Sequence, residues 1–318
     1  VTALESRYRR VLRLLPAGYR AEREEEMVSA FLDGAGPAAD DARPRWSEIA
    51  SVAALALRLR LDGPRGRAVR LTALIGLAFQ AAMSCVYLAQ TLGVHGFLPY
   101  PPGELPVGEP ASAERLWHVA RDLSSIVWII SYAALVWGRP RVAKATALLG
   151  LLGYVPTSPE SLAPVIAVVA LLAGYHRDVP AHRFPRWLAA VPLAAGAVLF
   201  LVITLLTWAM TTSNDSPQWP GPWAWVWSWL PPSGLFSLAL LAACAGYVVT
   251  HLAAPRRRSP SVPLALAILT VPVAVARLSY LSPAADQVTE TLNAVTVVQA
   301  VVLVLSGALL ARLSAAAE

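Results

Sequence analysis

Beyond residue 68 the chain is a succession of long apolar runs separated by short polar or proline-rich breaks. Before that point, apolar residues recur only at helical spacing among charged ones. The runs cover about 69–92, 116–137, 141–155, 161–176, 187–211, 233–253, 261–281 and 291–311. Most reach the roughly 20 residues that carry an α-helix across a bilayer core. In lipid, each segment must satisfy its own backbone hydrogen bonds, which selects helices. The pattern therefore predicts an all-α, polytopic membrane protein with about eight transmembrane helices over residues 69–318. The runs 141–155 and 161–176 are short, with "PTSPES" between them. They either cross as a tight hairpin or enter the membrane and return, as short apolar runs often do.

Residues 1–62 read as a small cytoplasmic domain of three helices. Thr2 and Glu5 have capping-box spacing. Leu4, Tyr8, Val11, Leu12 and Leu15 then repeat on one face, opposite Arg7, Arg10 and Arg13. Pro16 and Gly18 mark a turn. A second helix is expected over about 21–33, its acidic first turn (Glu22, Glu24, Glu25, Glu26) suited to the helix dipole. A linker over 34–45 leads to a third helix over about 46–61. Three short helices bury little, so this unit is expected to lean on a membrane surface or a partner.

Charge orients the spans. Arg139, Arg141 and Lys144, then Arg177, Arg183 and Arg186, then Arg256, Arg257 and Arg258 occupy alternate breaks. The intervening breaks carry Glu104, Glu109 and Glu114, then Glu160, Asp215, and Asp286 with Glu290. Arginine-rich loops stay in the cytoplasm, so both termini are expected inside. Each half, 69–176 and 187–311, opens with a helix and a long proline-rich outer loop and closes on a Ser-Pro turn. That pattern fits a four-plus-four parallel repeat.

Composition agrees with the pattern. Apolar residues make up 56% and charged ones 14%, against about 25% charged in soluble domains. The sequence pI near 9.7 reflects arginines flanking apolar runs, so no direct nucleic-acid partner is expected. Lys144 stands alone against a host of arginines, a bias that points to a GC-rich bacterial genome and the inner (cytoplasmic) membrane. Cys85 and Cys244 both lie in apolar runs and read as small hydrophobes.

Two constellations could carry chemistry. The first is "QWPGPWAWVWSWLPP", holding Trp219, Trp223, Trp225, Trp227 and Trp229 in the outer loop before the sixth run. Tryptophan favours the membrane interface, so the segment reads as an interfacial belt, or else as an aromatic platform for a lipid, sugar or cation. The second is a set of polar residues inside the outer parts of two runs: His118, Arg121 and Asp122, with Arg277 from the seventh. Intramembrane charges need a partner or water. Asp122 is expected to pair with Arg277 and line an outward pocket; a structural pair or snorkelling arginines is the plainer alternative. The histidines show no metal spacing, and no cofactor is implied. There is no H-E-x-x-H, G-x-S-x-G or P-loop pattern, so an enzyme is not expected.

The stretch "YRRVLRLLPAGYRAEREEEM" (8–27) resembles the helical prefix domain that precedes membrane spans in many actinobacterial proteins. These include some permeases and membrane partners of PadR-type regulators. The resemblance rests on the arginine helix, the Leu15-Pro16-x-x-Tyr19-Arg20 turn and the Glu25-Glu26-Met27 run. It implies an interaction module, with Arg9, Arg10, Arg13, Tyr19, Arg20, Glu25 and Glu26 as candidate contacts for a cytoplasmic regulator or ATPase. Together these features point to a non-enzymatic membrane sensor or regulatory protein. A transporter or permease subunit for a hydrophobic or lipid-like substrate is the alternative.

Overall fold

A computed structural model describes residues 3–35, 44–60, 63–94, 98, 112–152, 162–175, 184–212, 229, 232–253, 259–283 and 286–316. Among the described residues all regular structure is helical. The chain divides into two compact units, Val1–Arg67 and Ala68–Glu318.

The first unit contains α1 (Ala3–Leu12), α2 (Ala17–Ala35) and α3 (Trp46–Arg60). Tyr8, Leu12, Leu15, Val28, Val52 and Ala56 form its buried core. The rings of Tyr8 and Phe31 stack with centroids 3.9 Å apart. Arg60 closes the group by donating from Nη2 to the carbonyl of Leu14 at 2.9 Å. One expectation needs correction. α2 starts at Ala17 rather than near residue 21, because the Arg20 N–H finds the Pro16 carbonyl at 3.0 Å. The acidic run therefore lies beyond the first turn, out of reach of the helix dipole, and Glu24, Glu25 and Glu26 serve as ion-pair partners instead. Thr2, the expected cap, lies outside the described residues.

The second unit holds the apolar helices. Those labelled here are α4 (Pro64–Val94), α5 (Ala113–Ser124), α6 (Ile126–Val136), α7 (Pro140–Leu152) and α8 (Leu162–Gly174). A 3₁₀ turn (Arg186–Ala190) leads into α9 (Val191–Thr212), and α10 (Pro232–Ala253), α11 (Ser261–Leu278) and α12 (Gln287–Ala315) follow. Among the described residues, five stretches are long and apolar enough to cross a membrane: Pro64–Gly93, Arg186–Ala209, Ser233–Ala253, Ser261–Leu278 and Gln287–Ala315. Ile126–Val136 and Leu162–Gly174 are shorter apolar helices.

The single span expected over 116–137 is divided at Ser125. Ser125 keeps near-helical dihedrals (φ −60°, ψ −19°), and the Trp128 N–H donates to its carbonyl at 3.0 Å. The ladder thus tightens to i→i+3 pitch at a Ser-Ser pair, a sequence that readily interrupts helices. The third and fourth runs form α7 and α8, of 13 residues each within the described chain.

Helices in lipid associate through close packing of small residues, and this unit does so repeatedly. A Cβ on Gly76 of α4 would lie 2.6 Å from the Ala167 Cβ of α8. One on Gly196 of α9 would lie 2.5 Å from the Cys85 Cβ of α4. Gly307 of α12 lies against the Thr270 side chain of α11 in the same manner. Larger groups fill the remaining space. Leu77, Trp128, Tyr132, Leu135, Val168 and Leu171 join α4, α6 and α8. Phe236, Leu240, Leu266, Leu269, Leu303 and Leu310 join α10, α11 and α12. Several buried hydroxyls are satisfied within their own helices: Thr72 bonds the Ala68 carbonyl, Ser84 that of Gln80, and Ser237 that of Ser233; Ser131 of α6 instead bonds the Ala143 carbonyl of α7. Lys144 of α7 donates to the carbonyls of Tyr175 (2.6 Å) and Leu172 (3.4 Å), capping the C-terminal end of α8.

Exposed tryptophans mark helix ends. Trp187, just before α9, and Trp208, in its last part, are 68% and 45% exposed. They stand 21 positions apart, a rise of roughly 32 Å, close to the roughly 30 Å of a bilayer core. Trp117 and Trp137 bracket α5–α6 in the same way and are also exposed.

Candidate functional site: a buried polar cluster around Arg277

Arg277 lies in the last turn of α11, and it is the largest of the fully buried side chains, with 1% exposure. Helical spacing turns it, with Val273, Ala274 and Ala276, into the interior of the unit. Its Nη1 donates to the Ser233 hydroxyl at the start of α10, and its Nη2 to the Thr296 hydroxyl of α12, both at 3.4 Å. These are long for charge-assisted bonds. The Tyr280 ring lies 5.5 Å from the guanidinium carbon, within cation–π range. Three helices and the chain just past α11 thus converge on one cation.

The adjoining turn is held firmly. The Asn293 amide donates to the Ser282 carbonyl (2.7 Å) and accepts from the Ser282 N–H (3.2 Å). Asp286 caps α12 by accepting from the Thr289 N–H at 2.7 Å. That bond favours the ionised form and holds the Asp286 carboxyl below its ordinary range. A turn pinned at both ends sets the register of α12 against α11, and with it the distance from Thr296 to Arg277.

Deeper along the same α12 face come Gln299, Ala300 and Leu303, all buried. Beyond them Thr270 is a buried polar side chain at the α11–α12 contact, and its hydroxyl bonds the Ala267 carbonyl of its own helix. Below them α11 and α12 meet through Leu269, Leu266, Leu303 and Leu310, and through the Gly307–Thr270 contact.

The other predicted site residues are placed as follows. His118, Arg121 and Asp122 belong to α5, but their side chains lie outside the described residues. Trp219, Trp223, Trp225 and Trp227 also lie outside them, while Trp229 is half-buried. Among the described residues no group of His, Cys, Asp and Glu comes together as a metal site would require. Ser233, Thr296 and Tyr280 were not singled out from the sequence. Each is an ordinary hydroxyl-bearing residue near the end of an apolar run, and only the packing brings them to Arg277.

In the first unit, most of the candidate contact residues are engaged internally. Arg9 forms a bidentate pair with Glu25 at 2.6 and 2.9 Å and bonds Glu5 at 3.0 Å. It also lies 3.6 Å from Glu24, which pairs with Arg20 at the same distance. Arg23 pairs with Glu26 at 2.6 Å. The bonds from Glu25 and Glu5 raise the Arg9 pKa, and those from Arg9 lower that of Glu25. Tyr19 packs against the core. Arg10 and Arg13 remain exposed, so α1 offers a basic face outward. No family model matches the chain, and neither a curated protein nor a solved structure shows significant similarity to it.

Proposed function

We propose that this chain is a non-enzymatic sensor or regulatory protein of a bacterial cytoplasmic membrane. In this reading it crosses the bilayer eight times with both termini inside. The Arg277 cluster opens toward the outer face, and the first unit binds a cytoplasmic regulator. The carrying observation is the closed form of that cluster. Polar groups gather around Arg277 as far as Gln299, and beyond it α11 and α12 meet through leucines and Thr270, whose hydroxyl bonds its own helix. A carrier needs a polar path through the membrane, whereas a sensor needs only a shallow pocket coupled to packed helices. The exposed Arg10 and Arg13 support an acidic partner surface, since complementary charge steers association and fixes orientation.

The test uses the full chain, purified in mild detergent after crosslinking in its host membrane, beside an Arg10→Glu/Arg13→Glu variant. A DNA-binding regulator captured with the parent chain and lost from the variant is the expected result. Stoichiometric recovery of an ATPase would overturn the reading and make the chain a permease subunit. A charge exchange, Asp122→Arg with Arg277→Asp, tests the pairing expected between those residues. If they pair, the double variant accumulates where each single variant does not.

A further inference from the structure

Gln299 stands in the middle of α12 with 3% exposure, yet among the described residues neither Oε1 nor Nε2 has a hydrogen-bonding partner. The buried hydroxyls nearby avoid this by bonding back to their own helices, as Thr270 does to the Ala267 carbonyl at 2.7 Å. A primary amide offers two donors and two acceptor sites, too many for that device. Leucine or methionine would fill a similar volume with comparable helix propensity and no desolvation penalty. A polar side chain kept at such a position in an apolar helix marks a site.

Its surroundings say what kind. Thr296 and Gln299 are one turn apart on the α12 face that meets α11, and Thr296 already contacts Arg277. Tyr280, Arg277, Thr296 and Gln299 therefore form a file that starts at 39% exposure at Tyr280 and falls to a few per cent. Ala274 and Ala276, close to Arg277 along α11, and Ala300, next to Gln299 along α12, are buried as well.

We propose that Gln299 and Thr296, beneath Arg277, bind a hydroxyl group. That group comes from water or from the headgroup of a hydroxylated amphiphile such as a diacylglycerol. A hydroxyl is the smallest group that donates to Oε1 while accepting from Nε2. Being neutral, it enters a low-dielectric site without the penalty an ion would meet. The proposal deepens the sensor reading by naming the ligand class of its pocket, and it rests on that reading only for its biological meaning.

The first test is a map of the wild-type protein in lipid nanodiscs at a resolution that shows ordered oxygens. Density within hydrogen-bonding distance of the Gln299 amide is expected. An isolated peak identifies water, and one continuous with an acyl chain identifies an amphiphile. A fully ordered Gln299 with no such density overturns the proposal. The second test compares thermal unfolding of wild type, Gln299→Met and Gln299→Glu, with and without dioctanoylglycerol. Gln299→Met should melt several degrees lower although it is more apolar. Gln299→Glu, which keeps the shape of the side chain and hydrogen-bonding oxygens, should lie closer to wild type. A stabilised Gln299→Met shows that nothing satisfied the amide and sinks the proposal. A dioctanoylglycerol shift present in wild type and absent in Gln299→Met assigns the hydroxyl to the amphiphile; equal shifts in both leave water. If Gln299→Met does not accumulate, the wild-type map decides. None of these readouts involves a cytoplasmic partner, so failure of the regulator capture and failure of this site remain distinguishable.

Discussion

Gly76→Ala adds one methyl group at the tightest point between α4 and α8. The new Cβ would lie 2.6 Å from the Ala167 Cβ, about 1 Å inside the 3.5–4.0 Å optimum for two carbon atoms. Both atoms are bonded directly to backbone, so no rotamer relieves the clash and the helices must move apart. The Leu269 side chain, 3.9 Å away, would lose contact as they separate. Overpacking of this kind typically costs about 1–3 kcal/mol, less the gain of up to about 1 kcal/mol from helix propensity. A net loss of up to roughly 2 kcal/mol follows. The informative experiment is a double-mutant cycle with Ala167→Gly, which vacates the space the new methyl needs. Ala167→Gly alone should cost about 1 kcal/mol through propensity. The double variant should be more stable than the sum of the singles by at least about 1 kcal/mol. Reversible unfolding in mixed micelles of detergent and denaturing surfactant measures all four free energies. Strict additivity would refute the direct α4–α8 contact, and a stabilising Gly76→Ala would refute the close approach itself.

Three further outcomes follow from the geometry. Lys144→Met removes a cation that caps α8 at the Tyr175 and Leu172 carbonyls; it should cost about 1–2 kcal/mol, with Lys144→Arg retaining most of it, in the same unfolding assay. Single-tryptophan variants retaining Trp187 or Trp208 should both be quenched by lipids brominated near the headgroup rather than at the chain ends, as belt residues at opposite interfaces would be; deep quenching of either would exclude α9 as a straight span. In the first unit, Arg9 lowers the Glu25 pKa below its ordinary value of 4.5. A depressed carboxylate contributes stability that is fully present above the unfolded value and is lost as pH falls through the folded one. The urea midpoint of that unit, read from radical footprinting of Tyr8 and Phe31, should therefore fall on acidification below about pH 5, and Arg9→Gln should flatten that dependence.

How much of this was legible in the sequence depends on the range of the interaction concerned. The apolar runs specified helices, since backbone satisfaction in lipid is local and needs no partner. The α11–α12 pair follows 261–281 and 291–311 closely, α11 ending three residues early at Leu278. Breaks set by a single backbone step were not visible. Ser125 divides a run whose hydropathy is continuous, because periodicity averages over many residues and a tightened turn involves one or two. The acidic run 22–26 shows the same limit in another form. Its composition fits a helix start, but one bond from Arg20 to Pro16 moves the start to Ala17 and turns the glutamates into partners for Arg9, Arg20 and Arg23. Arg277 was recognisable as costly from hydropathy alone, whereas Ser233 and Thr296 were not. They lie 44 and 19 residues away in the chain, and the hydroxyl of a serine or threonine can always bond its own helix. Gln299 is the instructive intermediate. A glutamine in an apolar run is conspicuous in the sequence, but most polar side chains in such runs find a neighbour, as Asn293 does at Ser282. What singles out Gln299 is that it is buried with neither amide atom paired among the described residues, and that property belongs to the packing of the helices rather than to either sequence alone.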